Sequence, residues 1–285
     1  MLKYPINSEG YAKEMDQKNI VATMEKYGIV VIKVLSPDEC IKTEEALWNE
    51  NGDRLKADDY TTWENENWPS PGHPFLSNKY ALHEQAFRNR VNSKVVNAFT
   101  QLYKTNDLLT TIDFWGIKRG TVFGPGEQRI DWRPKPLKLH WDVDLTVYNQ
   151  QKKRRYQALV AIVDCNQEVG SFSCVPGSCY IDYSQHQENN KYVKRTSMLQ
   201  KQVQRIPLRA GHMVIWDMGV AHANYANYTN TCRLTQYIRM VPREWSSLEK
   251  QVITDFWKKM PVLKGKLKQK QWTRDEKRWL GLNKT

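Results

Sequence analysis

Residues 137–145 read Leu137-Lys138-Leu139-His140-Trp141-Asp142-Val143-Asp144-Leu145, and their period-two alternation decides the reading of the chain. Apolar Leu137, Leu139, Trp141 and Val143 interleave with polar Lys138, His140, Asp142 and Asp144, as expected for a half-buried strand over 135–145. On a strand, His140 and Asp142 share a face and can converge on one ion, whereas a helix would turn them about 200° apart. A distal histidine completes the set: His222, in Ala221-His222-Ala223-Asn224, lies several strand lengths downstream. Two imidazoles and one carboxylate are the donor set that holds non-haem Fe(II) on one side and leaves the opposite positions open.

Two flanking segments extend this pattern. Residues 209–218 contain an Ala210-Gly211 turn and a buried strand, followed by a second turn at Gly219 that leads to His222. Residues 232–240 form a further strand, with Arg233 and Thr235 on one face. An arginine fork holds both oxygens of a carboxylate, and a hydroxyl two residues along can donate a further hydrogen bond.

With these residues in order, the chain resembles the Fe(II)- and 2-oxoglutarate-dependent oxygenases, in particular the phytanoyl-CoA dioxygenase-like family. The resemblance spans about residues 115–240. It includes Gln157-Ala158-Leu159-Val160-Ala161-Ile162-Val163-Asp164, similar to the family's central strand. It also includes Gly170-Ser171-Phe172-Ser173-Cys174-Val175-Pro176-Gly177-Ser178, similar to its Gly-rich strand and Pro-Gly-Ser turn. Two departures stand out: Cys179 occupies a place where the family often has His, and Ser171 replaces the second Gly of a usual pair.

The resemblance implies a mainly β fold with flanking helices, a double-stranded β-helix (jelly-roll, cupin-like) barrel with the metal at its mouth. It assigns His140, Asp142 and His222 to Fe(II), and Arg233 with Thr235 to the distal carboxylate of 2-oxoglutarate. The implied reaction consumes O2 and 2-oxoglutarate, releases succinate and CO2, and hydroxylates a C–H bond of a small molecule such as an acyl thioester or amino-acid derivative. Related halogenating enzymes lack the carboxylate ligand, so Asp142 favours hydroxylation. Gln157, Trp115 and Asn224 are the expected pocket residues. Two other readings are the same chemistry on a nucleic acid and a non-catalytic ligand-binding jelly roll.

The rest of the chain is read as one oxygenase domain in three parts. Residues 1–107 form a helical N-terminal region, 108–243 the jelly-roll core, and 244–285 a basic helical extension. In the first part, a helix over 11–27 precedes a strand over 28–35. Ser36 then caps a helix running to about Asn49, with Pro37 at its first position and Glu39 closing a capping box. The aromatic and proline-rich stretch 59–75 is a candidate substrate-facing lid. A helix over 83–103 leads into first strands that include 111–118, ending in Lys118 and Arg119, which could meet an acidic co-substrate or substrate but read first as solvated cations at a strand end.

Composition sets outer limits. At 285 residues the chain can bury a sizeable core. No apolar run is long enough for a membrane span, and the first residues lack a secretory core, so the expectation is a cytoplasmic protein. Five cysteines without a C-x-x-C pair fit free thiols in a reducing compartment. The net charge of +12 is concentrated in the last forty residues. Interleaved Trp257, Leu263, Leu267, Trp272 and Leu280 make helices packed on the core, with a solvated basic face, the favoured reading over nucleic-acid binding. Oligomeric state is not legible.

Overall fold

The computed structural model describes residues 2–68, 80–123, 127–133, 138–150, 153–181, 192–193, 197–245 and 247–283. The N-terminal elements are α1 (Ile20–Tyr27), β1 (Ile29–Lys33), α2 (Pro37–Asn51), α3 (Glu84–Arg90) and α4 (Ser93–Tyr103). Next come β2 (Leu108–Thr110), β3 (Trp115–Lys118), α5 (Leu145–Gln150), β4 (Tyr156–Ala161) and β5 (Phe172–Cys174). The chain continues through β6 (Gln204–Ile206), β7 (His212–Asp217), β8 (His222–Asn224), β9 (Arg233–Ile238) and β10 (Met240–Pro242). It ends in α6 (Ser247–Lys259), α7 (Pro261–Lys268) and α8 (Arg274–Trp279).

The main sheet is antiparallel, in the order β1-β7-β4-β9-β3. Its inner face carries Ile29, Val31, Leu159, Ala161, Val214 and Trp216, packed against Phe172, Cys174 and Ile206 of the small sheet β6-β5-β8. Its outer face carries Val30, Ile32, Val160, Met213, Ile215 and Leu234, which bury against Ile20, Met24, Leu47, Val95 and Phe99 of the N-terminal helices. A strand covered on both sides has no polar alternation, which explains the uninterrupted Ile29-Val30-Val31-Ile32. This is the expected jelly-roll arrangement of antiparallel sheets with flanking helices, but among the described residues its hydrogen bonding does not close into a barrel. The small sheet is made of three strands of three residues each.

Several expected boundaries move. Helix α1 starts only at Ile20, after a short 3-10 turn. The segment before it runs alongside the sheet, where Ala12 N–H donates to Pro207 O and Met15 N–H to Val31 O. Gly28, at φ +68°, stops α1 and sends its N–H to Met24 O, so the chain enters β1 directly. The Ser36–Glu39 capping box on α2 is present as expected. The single helix expected over 83–103 is two, because Asn92 accepts from Lys94 N–H and caps a new start at Ser93. Strand β3 occupies only the last four residues of the expected 111–118.

The decisive stretch is shorter as a strand than its pattern implies. Among its described residues only His140 forms ladder bridges, to His222 and Tyr192, and the chain bends at Asp142 before α5. Residues 135–137 lie outside the described residues. Alternation still holds locally, with Leu139 and Trp141 buried on one side and His140 on the other.

The C-terminal helices bury Ile253, Trp257, Leu267, Trp272 and Leu280 against Phe87, Leu109 and Val241. The extension is therefore packed against the core, and most of its lysines are solvated. All five cysteines are free and buried. No helix among the described residues is long and apolar enough to cross a membrane.

Candidate metal centre

His140 and His222 are direct cross-strand neighbours: each backbone N–H donates to the other's carbonyl, at 3.0 and 2.9 Å. Their rings stand 4.5 Å apart between centroids. The Nδ1 of His140 lies 3.0 Å from Lys138 O, and the Nδ1 of His222 lies 3.0 Å from Val220 O. Because a carbonyl can only accept, both Nδ1 atoms carry the proton and both Nε2 atoms are left as bare donors. Asp142 faces them, with Oδ1 3.5 Å from the His140 Nε2 and Oδ2 3.3 Å from the His222 Nε2. All three donor atoms lie within 4.8 Å of one another. Backbone carbonyls that fix the imidazole tautomer are the usual outer support of a metal-binding histidine.

The electrostatics agree. Burial works to raise the Asp142 carboxyl, but the two imidazoles it faces, when protonated, outweigh it by hydrogen bonding and charge and hold the group well below the usual carboxylate range. For His140, burial pulls the imidazole down, and the Asp142 hydrogen bond and charge more than reverse this. Phe172 and Trp216 close the back of the site, with ring centroids 5.8 and 5.2 Å from that of His222.

Arg233 begins β9 on the inner face and is only 2% exposed. Its Nη1 donates to Asn224 Oδ1 at 2.9 Å, while Nε and Nη2 meet no oxygen acceptor among the described residues. Lys118 pairs with it in register across β3 and β9 and is only 5% exposed. The Lys118 Nζ donates to Tyr225 O at 2.6 Å. Burial, reinforced by the Arg233 charge, drives the Lys118 ammonium well below its ordinary value. No described carboxylate comes within ion-pair distance of either cation. Two adjacent buried cations without a counterion favour binding of an anion.

Other expected site residues fall in different places. Gln157 and Asn224 line the cavity that contains the triad. Trp115 does not: its register partner is Gln236, which puts it on the outer face, where its indole N–H donates to Glu50. Thr235 shares the inner face with Arg233, but its hydroxyl is engaged with Gly116 O at 3.0 Å rather than free for a ligand. Gly116 leaves no room for a side chain there, since a Cβ would collide with the Thr235 hydroxyl and press on Tyr237.

Lys118 and Arg119, read as solvated, are both buried. Arg119 donates to Trp63 O and Asn65 Oδ1 and stacks on Trp68 and Trp132. The described part of the candidate lid, up to Trp68, thus packs around Arg119. Its remainder, 69–75, lies outside the described residues.

The clasp behind the triad is not legible in the sequence. Asp217, 2% exposed, accepts at Oδ1 from Gly219 N–H (2.7 Å) and from the Tyr148 hydroxyl (3.1 Å), with Arg154 3.5 Å from Oδ2. Burial raises its carboxyl, which these partners counter only in part. Tyr148 lies on α5, just after Asp142, and Asp217 ends β7, just before His222, so one carboxylate ties together both segments that carry the candidate ligands. Asp217→Ala is predicted to lower stability by about 3 kcal/mol in urea unfolding and metal affinity by at least about tenfold in a metal titration. A variant that keeps wild-type values in both would remove Asp217 from this role.

Comparisons with known proteins agree with this geometry. The family model for phytanoyl-CoA dioxygenase matches residues 24–235. A Dictyostelium discoideum protein that carries the phytanoyl-CoA dioxygenase name is 23% identical over 259 residues, covering 76% of this chain and 73% of its own. Among solved structures, the non-haem, α-ketoglutarate-dependent epimerase SnoN from nogalamycin biosynthesis aligns with a TM-score of 0.56 at 17% identity, over 79% of this chain and 82% of its own. HygX from Streptomyces hygroscopicus, with nickel and 2-oxoglutarate bound, aligns with a TM-score of 0.54 at 15% identity, over 80% and 88%. At such identities the solved structures speak for the fold alone. The match over 24–235 takes in the triad, most of the main sheet, the whole small sheet and Arg233, and on it the chain belongs to the phytanoyl-CoA dioxygenase family.

Proposed function

We propose that the chain is an Fe(II)- and 2-oxoglutarate-dependent dioxygenase that hydroxylates a C–H bond of a small molecule and releases succinate and CO2. The observation that carries this reading is the convergence of two bare imidazole Nε2 atoms and the Asp142 carboxylate beside the uncompensated cations Arg233 and Lys118. SnoN has been crystallised with Fe3+ and α-ketoglutarate, and HygX with nickel and 2-oxoglutarate, so the same fold accepts this pairing in relatives.

When bound, Fe(II) and 2-oxoglutarate would supply the electrons that reduce and activate O2. The protein's own residues prepare the site. His140, Asp142 and His222 would hold the ion and leave positions on it for other ligands. Arg233, oriented by Asn224, receives the far carboxylate of 2-oxoglutarate, and Lys118 adds a second positive charge. Phe172 and Trp216 exclude water from the rear of the triad. A cavity of about 520 Å3 with largely apolar walls opens at the triad, a size suited to a small molecule.

The test is spectroscopic. Under anaerobic conditions, Fe(II) and 2-oxoglutarate together are expected to produce a visible charge-transfer band that neither gives alone, and admission of air should yield succinate. A protein that binds both without a band, or yields no succinate under any substrate condition, is a ligand-binding jelly roll instead.

A further inference from the structure

We infer that the substrate is a small zwitterion whose carboxylate is received by Arg239 and whose ammonium group is received by Asp113; this rests on the reading of the triad as an Fe(II)/2-oxoglutarate centre. On β9 the inner-face positions are Arg233, Thr235 and Tyr237, and Arg239 continues the series just past the strand end. Six residues of strand separate the two arginines by about 20 Å. A five-carbon diacid held by Arg233 therefore cannot also occupy Arg239, and the second arginine is available to a different ligand.

Arg239 lines the same cavity as the triad. Its backbone is fixed, since its carbonyl accepts from Thr111 N–H at 2.9 Å, while its side-chain Nε is buried without a hydrogen-bond partner. No described carboxylate lies within ion-pair distance of it. Asp113 lines the cavity too, half-buried, with its Oδ2 accepting from the Thr111 hydroxyl. The Asp113 carbonyl accepts from Ala81 N–H at 3.0 Å and from Arg90 Nη2 at 3.0 Å, so the segment is held in place from behind. Phe114, Met218 and Ile238 supply apolar surface in the same cavity.

Beyond the triad, one cation and one anion thus line the cavity without pairing with each other. A neutral hydrocarbon that displaced water would leave Arg239 without a counter-charge and Asp113 with only the Thr111 hydroxyl and the buried Arg90 behind it. A polyphosphorylated ligand such as a coenzyme A thioester would bring several negative charges against Asp113. A compact molecule with one carboxylate and one ammonium group satisfies both, and leaves its side chain to reach toward the triad.

The experiment uses anaerobic enzyme loaded with Fe(II) and 2-oxoglutarate. Its charge-transfer band is titrated with the twenty protein amino acids, the matching acids without the amine, the matching amines without the carboxylate, and palmitoyl-coenzyme A. At least one amino acid is expected to perturb the band and, in air, to stimulate succinate release. Its deaminated and decarboxylated analogues are each expected to bind about 10- to 100-fold more weakly. Arg239→Met should abolish the amino-acid response, Arg239→Lys should retain part of it, and Asp113→Asn should weaken the amino acid but not its deaminated analogue. No response to any amino acid, an equal response to palmitoyl-coenzyme A, or an unchanged response in Arg239→Met would overturn the inference. Failure of the underlying 2-oxoglutarate reading is separate, because the band would then be missing before any of these compounds is added.

Discussion

Replacing His222 by alanine is expected to eliminate the anaerobic Fe(II)/2-oxoglutarate band and bring substrate-dependent succinate formation down to background. The argument rests on how little else could take its place. Its Nε2 is one of only two bare imidazole nitrogens in the triad, and its ring is 4% exposed between Phe172 and Trp216. Neither aromatic neighbour can ligate a metal. Two of three protein donors would remain, and an open site held on one side depends on all three. The fold should survive, because the backbone bonds between residues 140 and 222 do not involve the side chain. Circular dichroism and the unfolding midpoint separate loss of metal from loss of structure. A variant that keeps the band would place the metal elsewhere.

The residues that carry this prediction were legible in the sequence for a physical reason. His140 and Asp142 are two apart on an alternating segment, and that local spacing survives even though the segment is a single bridge and a bend rather than a long strand. The capping box on α2 was equally local, and was found where Ser36 and Glu39 placed it. Non-local facts were not legible. Lys118 reads as a surface cation at a strand end until β9 is laid beside β3 and puts Arg233 opposite it, 115 residues later.

Trp115 failed for the same reason. Its face depends on whether it pairs with Thr235 or Gln236, a one-residue difference in register that reverses inside and outside. The break at Asn92 was a missed local signal, since Asn directly before Ser93 can cap a new helix inside an apparently continuous one. The clasp at Asp217 lay beyond sequence reading, because its partners come from α5 and the turn after β7, brought together only by the fold.

Arg233 gives the second large effect, and its variants distinguish a cofactor arm from a structural cation. Arg233→Met is expected to raise the Kd for 2-oxoglutarate at least about 30-fold, the lower end of the cost of truncating one partner of a buried charge pair. Affinity for Fe(II) alone should change little, since Arg233 contributes no donor to the triad. In most proteins, removing a buried arginine destabilises the fold by orphaning a carboxylate. Here no described carboxylate is paired with it, and its Nη1 donates to the neutral Asn224 Oδ1. Relieving the repulsion with Lys118 offsets part of the lost packing, so the unligated variant should unfold close to the wild-type midpoint. The stabilisation that saturating 2-oxoglutarate confers on the wild type should be largely missing from it. Lys118→Met should show the same pattern to a smaller degree, because its ammonium is already held by Tyr225 O. If Arg233→Met instead lost stability without 2-oxoglutarate and bound the co-substrate normally, the buried cations would be scaffolding, and the carboxylate would have to be held elsewhere in the cavity.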